Sequence, residues 1–373
     1  MGMTGALRRL GMTGALRPAA NDRGGGASRD RRDCASFAVT GVAMRNLITD
    51  VAGLKVGHAQ DEGVASGVTA VVFDAPAVAS IAIHGGAPGV RDAALLEPDM
   101  TVEAVDALIL SGGSAFGLDA CGGAQARLRE MGRGLAIRDI RVPIVPGAIV
   151  FDLLNGGNKD WGRMPPYWEL GYAATQAAAV DFALGTAGAG YGATTATLKG
   201  GLGSASDTTA TGYRVGALVV VNAIGSATVG AGPQFWAGPY ERAREFGGRG
   251  FPAAPLPAEA LAFAMKGAAP ENTTIAVVAT DAKLTKAQAK RLAVQAHDGM
   301  ALALQPAHAA LDGDTIFAAA TGLNRRAPDL GELTQIGALA ARCLARAIAR
   351  GVYEARALPF DGALPDWRSR FGS

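Results

Sequence analysis

Asn272, Thr273 and Thr274 stand directly ahead of an apolar run, Ile275 to Ala279. A threonine hydroxyl is a weak nucleophile that needs a base at its side. If the Asn272–Thr273 bond were cut, the new α-amine of Thr273 would supply that base, with a pKa of about 7.7–8.0, close to working pH. The same residues fit two blander patterns: the polar edge of a buried strand, and the N-x-[ST] acceptor of glycosylation. Further along, Asp312 and Asp314 flank Gly313 before a second apolar run. Strand alternation would point both carboxylates to one side, for acid–base work or as a solvated Asp-Gly turn. A metal there would need further ligands, and none is evident nearby.

Other motifs exclude other chemistries. The four histidines, His58, His84, His297 and His308, are far apart in the chain and form no HExxH, so neither a metal nor a cofactor is expected. The glycine-rich stretch 188–201 contains Lys199, but its spacing is neither GxxxxGK[ST] nor GxGxxG. "SGGSAFG" (111–117) is not the GxSxG elbow, and Ser114 reads as a helix cap behind a strand. A net charge of +2 over 373 residues is too small to point to nucleic acid. Three cysteines, Cys34, Cys121 and Cys343, show no paired spacing, which fits a reducing compartment. No apolar stretch is long enough to span a membrane. "CASFAVTGVAM" (34–44) lacks a clear signal cleavage site. A cytoplasmic location and no membrane partner are expected.

The elements that must carry these residues are strands first. Residues 67–74, 79–86, 105–113, 214–230, 274–281 and 314–322 read as strands and 142–153 as extended, each ended by glycine or a polar residue. Helices are predicted over 114–132, 172–184, 256–267, 285–304 and 333–355, with Thr285 and Gln288 as a capping box. Strands with few charges on either face call for sheets covered by helices. The expectation is one layered α/β domain over 44–373. Residues 1–43, with "GMTGALR" twice and little periodicity, are expected to be a disordered N-terminal extension.

Six stretches in order carry a family resemblance: "GGAPGVRD" (85–92), "LSGGSAFGLDA" (110–120), "LKGGLGSAS" (198–206), "VVVNAIGS" (219–226), "ENTTIAVVATD" (271–281) and "DGDTIFAAATG" (312–322). Together they resemble the self-processing peptidases of the DmpA type: L-aminopeptidase/D-esterases, β-peptidyl aminopeptidases and nylon-oligomer (6-aminohexanoate oligomer) hydrolases. The threonine after asparagine looks most like the nylon-oligomer branch. The resemblance implies a four-layer αββα sandwich like that of N-terminal-nucleophile hydrolases with different connectivity. It implies autocatalytic cleavage between Asn272 and Thr273 into 1–272 and 273–373, two chains that stay associated, and a homo-oligomer such as a tetramer of these units. It names Thr273 as nucleophile, with Lys199, Asn222, Asp312 and Asp314 at matching active-site positions. One departure is Phe151, which stands where the family often has a tyrosine and so brings no phenolic hydroxyl.

The chemistry of these residues agrees with that implication. The Asn222 amide can donate to an oxyanion, Lys199 can stabilise negative charge, and the two aspartates can orient the hydroxyl and amine. The expected function is hydrolysis of short peptides or ω-amino-acid oligomers through an acyl-enzyme. An acyltransferase of related fold and a non-enzymatic binding protein on the same scaffold are the alternatives.

Overall fold

Strands apolar on both faces are stable only where both faces are covered, and the fold covers them with one bend in one strand. A computed structural model of the chain describes residues 44–253, 255–266 and 272–372. The extension expected over 1–43 lies outside them. Strands β1 (Leu54–Asp61), β2 (Ser66–Ile83), β3 (Val90–Arg91) and β4 (Ala104–Ser111) are followed by a small hairpin, β5 (Leu135–Ile137) and β6 (Ile140–Val142). Then come β7 (Gly147–Ile149), β8 (Gly201–Thr208), β9 (Arg214–Asn222), β10 (Thr273–Thr280) and β11 (Thr315–Ala320). All but the hairpin join one sheet in the order β3-β7-β4-β2-β11-β10-β9-β8, with β1 alongside β2.

The two runs read at 67–74 and 79–86 are a single strand. Its register against β4 shifts between Val72 and Ala77, where Asp74, Ala75 and Pro76 are exposed. Such a bulge bends the strand without ending it. Before the shift β2 pairs with β1, and after it with β11. The sheet therefore folds into two halves that face one another.

Side-chain alternation assigns each face to a layer. Val71, Phe73, Leu108 and Leu110 of one half meet Leu218, Val220, Ile275, Val277 and Phe317 of the other. The alternate residues of the first half, Val68, Ala70, Ala107 and Ile109, pack on helices α1 (Ala120–Glu130) and α2 (Tyr167–Gln176). Those of the second half, among them Val219, Val221, Ala276, Val278 and Ile316, pack on two further helices. With the short α3 (Ala258–Leu261) counted, these are α4 (Lys286–Ala301) and α5 (Leu330–Glu354). Four layers result, αββα, as expected.

The helices differ from the reading in instructive ways. α2 lies over 167–176 instead of 172–184, because Ala179 forms a bridge with Val56, with both N–H···O contacts at 2.9–3.0 Å. That pairing overrides the helix propensity of the alanines. Ser114 is no cap: it sits at φ 52° inside a 3-10 turn, Ser114–Asp119, that makes no side-chain cap bond. The Thr285/Gln288 box is formed, and a second, Asp329/Glu332, opens α5.

Close approach of α5 to the sheet needs a residue without a side chain. A Cβ placed on Gly203 would lie 1.8 Å from the carbonyl oxygen of Ala347. Gly203→Ala is therefore expected to destabilise the fold by about 1–3 kcal/mol through overpacking, read as a lower urea midpoint. An unchanged midpoint would show that α5 can retreat at no cost.

Candidate active site

Thr273 is the first residue of β10 and pairs in register with Asn222, the last residue of the antiparallel β9. By alternation both side chains fall on the face between the sheet halves, where Ile275 and Val220 lie. On its other flank the junction meets the turn before β11: Asn272 bridges to Asp312. The peptide carbonyl of Asn272 accepts from the Gly313 N–H at 3.1 Å and also from the Thr273 hydroxyl. Asn272, Thr273 and Thr274 are all buried. Gly313 covers the hydroxyl so closely that a Cβ on it would be 2.7 Å from Thr273 Oγ1.

Both aspartates come to this junction. Asp314 Oδ1 accepts from the Thr274 N–H at 2.8 Å, and its Oδ2 accepts from the backbone and the ring Nδ1 of His308, at 2.9 and 2.8 Å. Burial lowers the His308 pKa, but the Asp314 carboxylate outweighs it and the net direction is up. Asp312 accepts from the Ala309 N–H at 3.2 Å. Burial, helped by the neighbouring Asp314 charge, pushes its carboxyl up to about 7, into the range where a group can exchange protons at neutral pH.

The Asn222 side chain is held by three loops. Its Nδ2 donates to the Phe151 carbonyl at 2.9 Å, and its Oδ1 accepts from Thr194 N–H at 3.0 Å and from Lys266 Nζ at 3.1 Å. Phe151, lacking a phenol, thus enters the site through its backbone. A cavity of about 250 Å³ opens on this network, lined in part by Phe151, Asp152, Asn155, Thr194, Lys266 and Asp361. Three of those residues, Phe151, Thr194 and Lys266, are hydrogen-bond partners of Asn222, which places the cavity one residue away from the strand pair that carries Thr273.

Lys199 occupies a different place from the one its charge suggests. It is 1% exposed, and its Nζ donates to the carbonyls of Gly190, Ala193 and Gly200 at 2.7–3.0 Å. Burial pushes its pKa down to about 7, against the pull of the Asp152 charge, and its three carbonyl acceptors fix the nitrogen in place. It ties together the glycine-rich loop that delivers Thr194 to Asn222. Sequence reasoning missed Lys266, His308 and the Gly313 N–H. The loop lysine and histidine carry no local signal, and a backbone donor has none to give beyond the Asp-Gly-Asp pattern.

This geometry has relatives. Residues 46–363 match the model of Peptidase family S58.

The chain belongs to peptidase family S58.

An uncharacterised aminopeptidase of Mycobacterium tuberculosis is 44% identical over 346 residues, covering 87% of this chain and 98% of its own. The 6-aminohexanoate-oligomer endohydrolase of an Agromyces species is 28% identical over 306 residues, 80% of each chain. Among solved structures, the L-aminopeptidase D-Ala-esterase/amidase of Ochrobactrum anthropi, described as a variant of the Ntn-hydrolase fold, aligns with a TM-score of 0.61 at 21% identity, over 87% of this chain and 92% of its own. This S58 peptidase is thus a hydrolase whose fold is that of the Ntn-hydrolase variant, and the non-enzymatic alternative falls. No helix among the described residues is long and apolar enough to cross a membrane.

The lysine reading has a direct check. Lys199→Met keeps the length of the stem but removes three bonds to buried carbonyls, and should destabilise this peptidase by about 1–3 kcal/mol in chemical denaturation. A variant as stable as the parent would show that the loop holds without it.

Proposed function

We propose that this peptidase is a self-processing N-terminal-threonine amide hydrolase that acts on short peptides or ω-amino-acid oligomers through an acyl-enzyme on Thr273. The observation that carries the reading is the Thr273 hydroxyl lying on the carbonyl of the peptide bond before it, while the Gly313 N–H holds the same oxygen.

In processing, Thr273 Oγ1 attacks the Asn272 carbonyl carbon and its proton passes to Asp312. The Gly313 N–H stabilises the oxyanion, as a fixed backbone dipole in a water-poor site does best. The C–N bond breaks, the Thr273 nitrogen takes the proton, and the acyl group rests on the hydroxyl as an ester. Water then releases the Asn272 carboxylate and leaves Thr273 with a free amine and a free hydroxyl.

In turnover the amine becomes the base for that hydroxyl. A substrate carbonyl replaces that of Asn272, its leaving amine departs with a proton, and water opens the new ester. Asp314 fixes the strand through Thr274. Asn222, set across from Thr273, donates to the substrate or its oxyanion, and Lys199 acts at one remove by holding the loop behind it. The polar cavity beside Lys266 and Asp361 suits a short chain with amide groups and charged ends. The relatives named above for aminopeptidase and 6-aminohexanoate-oligomer activity support this substrate class. The apolar hairpin Leu135–Val142, with Ile137 and Ile140 more than half exposed, supports assembly of several copies.

Two alanine variants test the assignment on a denaturing gel. The parent protein should separate into chains of 272 and 101 residues, the smaller beginning Thr-Thr-Ile-Ala-Val. Thr273→Ala should remain one inactive chain, and Thr274→Ala should still be cut. If Thr273→Ala is cut and Thr274→Ala is not, the nucleophile lies one residue later.

A further inference from the structure

The histidines that stand apart in the sequence meet in the fold. His84 follows the end of β2, His297 lies on α4, and His308 lies in the loop before β11. The rings of His84 and His297 stack with centroids 3.7 Å apart and planes 11° from parallel. His308 stands edge-on to both, at 5.3 and 4.9 Å. One ring nitrogen from each lies within 4.8 Å of the others.

Two of these rings are anchored from behind. His297 Nε2 lies 3.0 Å from the Ala82 carbonyl and donates to it, which leaves Nδ1 as a lone pair. That Nδ1 is buried without a partner. His308 Nδ1 is given to Asp314, and its Nε2 makes no full hydrogen bond, although the backbone carbonyl of His297 lies within reach of the ring. Carbonyl–histidine and carboxylate–histidine pairs of this kind are the usual support behind metal-bound imidazoles, where they fix the tautomer and the ring direction. His308 is also held at φ 57°, a backbone region that costs a side-chain-bearing residue energy and persists only where its surroundings impose it. His84 is exposed, which gives an ion a way in.

We propose that His84, His297 and His308 bind a divalent transition-metal ion of the zinc class, with water in the remaining position. Imidazole nitrogen suits Zn²⁺ and its neighbours rather than Mg²⁺ or Ca²⁺. Metal–nitrogen distances of about 2.0–2.1 Å require the three nitrogens to draw closer than they stand, and exposed His84 is the ring with room to move. An ion there would tie the end of β2 to Asp314 through His308, one hydrogen bond from the strand that begins at Thr273. Separation in the sequence hid this three-histidine cluster.

The test uses the full chain without a polyhistidine tag, stripped by chelator and titrated with Zn²⁺ by calorimetry and with Co²⁺ by visible absorption. One Zn²⁺ per chain at micromolar concentration is expected, with the intense absorption of low-coordinate Co²⁺. His84→Ala, at an exposed position, should stay folded by circular dichroism and weaken binding by at least about 10-fold. A folded parent that takes up no Zn²⁺ at millimolar concentration would overturn the proposal. So would a Co²⁺ spectrum of the hydrated ion, or a His84→Ala variant that binds as the parent does.

Discussion

Everything in the site depends on how β10 begins. Its first residue is held on one side by register with Asn222 of β9 and on the other by the Asn272–Asp312 bridge and the Gly313 N–H. A threonine at a strand edge in water would turn freely. Here both flanks are backbone ladders, and backbone positions are the most rigid a fold can offer. The hydroxyl of Thr273 is therefore set against one carbonyl, with Gly313 too close above it to admit a side chain.

The same placement bears on what a cut would leave behind. β10 and β11 are inner strands of their half-sheet, between β9 and the far part of β2, and α4 and α5 cover them. Residues after the proposed cut thus supply two central strands and a whole helical layer. Separating them from the rest would expose the inter-sheet core, including Ile275, Val277 and Phe317. The Lys199 N–H, which donates to the Pro365 carbonyl at 2.9 Å, adds a tie from the C-terminal segment to the glycine-rich loop.

The layers were legible because they rest on local patterns. The runs at 105–113, 274–281 and 314–322, and the first part of the run read at 214–230, which ends as a strand at Asn222, alternate between two buried faces, and the Thr285/Gln288 box marks a helix start by its own chemistry. What stayed hidden depends on contacts distant in sequence. β8 read as a glycine-rich motif rather than a strand, because Gly201 and Gly203 lower strand propensity while allowing α5 close. The alanine-rich stretch after Gln176 looked helical until Val56 claimed its backbone. Asn222 and the two aspartates were legible through motif order, and the fold brings them to the junction. Lys199 was picked out by motif order but its attachment was not, since three carbonyl acceptors leave no trace in sequence. The His84, His297 and His308 cluster was invisible for the same reason.

The central claim is that the Thr273 hydroxyl carries the acyl group. Enzyme quenched in acid during turnover of a slow amide or ester substrate, then digested and weighed by mass spectrometry, tests it at the atom concerned. The account predicts the added acyl mass on the peptide that begins with Thr273, carried on the side-chain oxygen while the sample stays acidic and passing to the adjacent free α-amine, with the mass retained, when the peptide is brought to mild alkali. An acyl group on another residue, or rapid turnover with that peptide never modified, would contradict it.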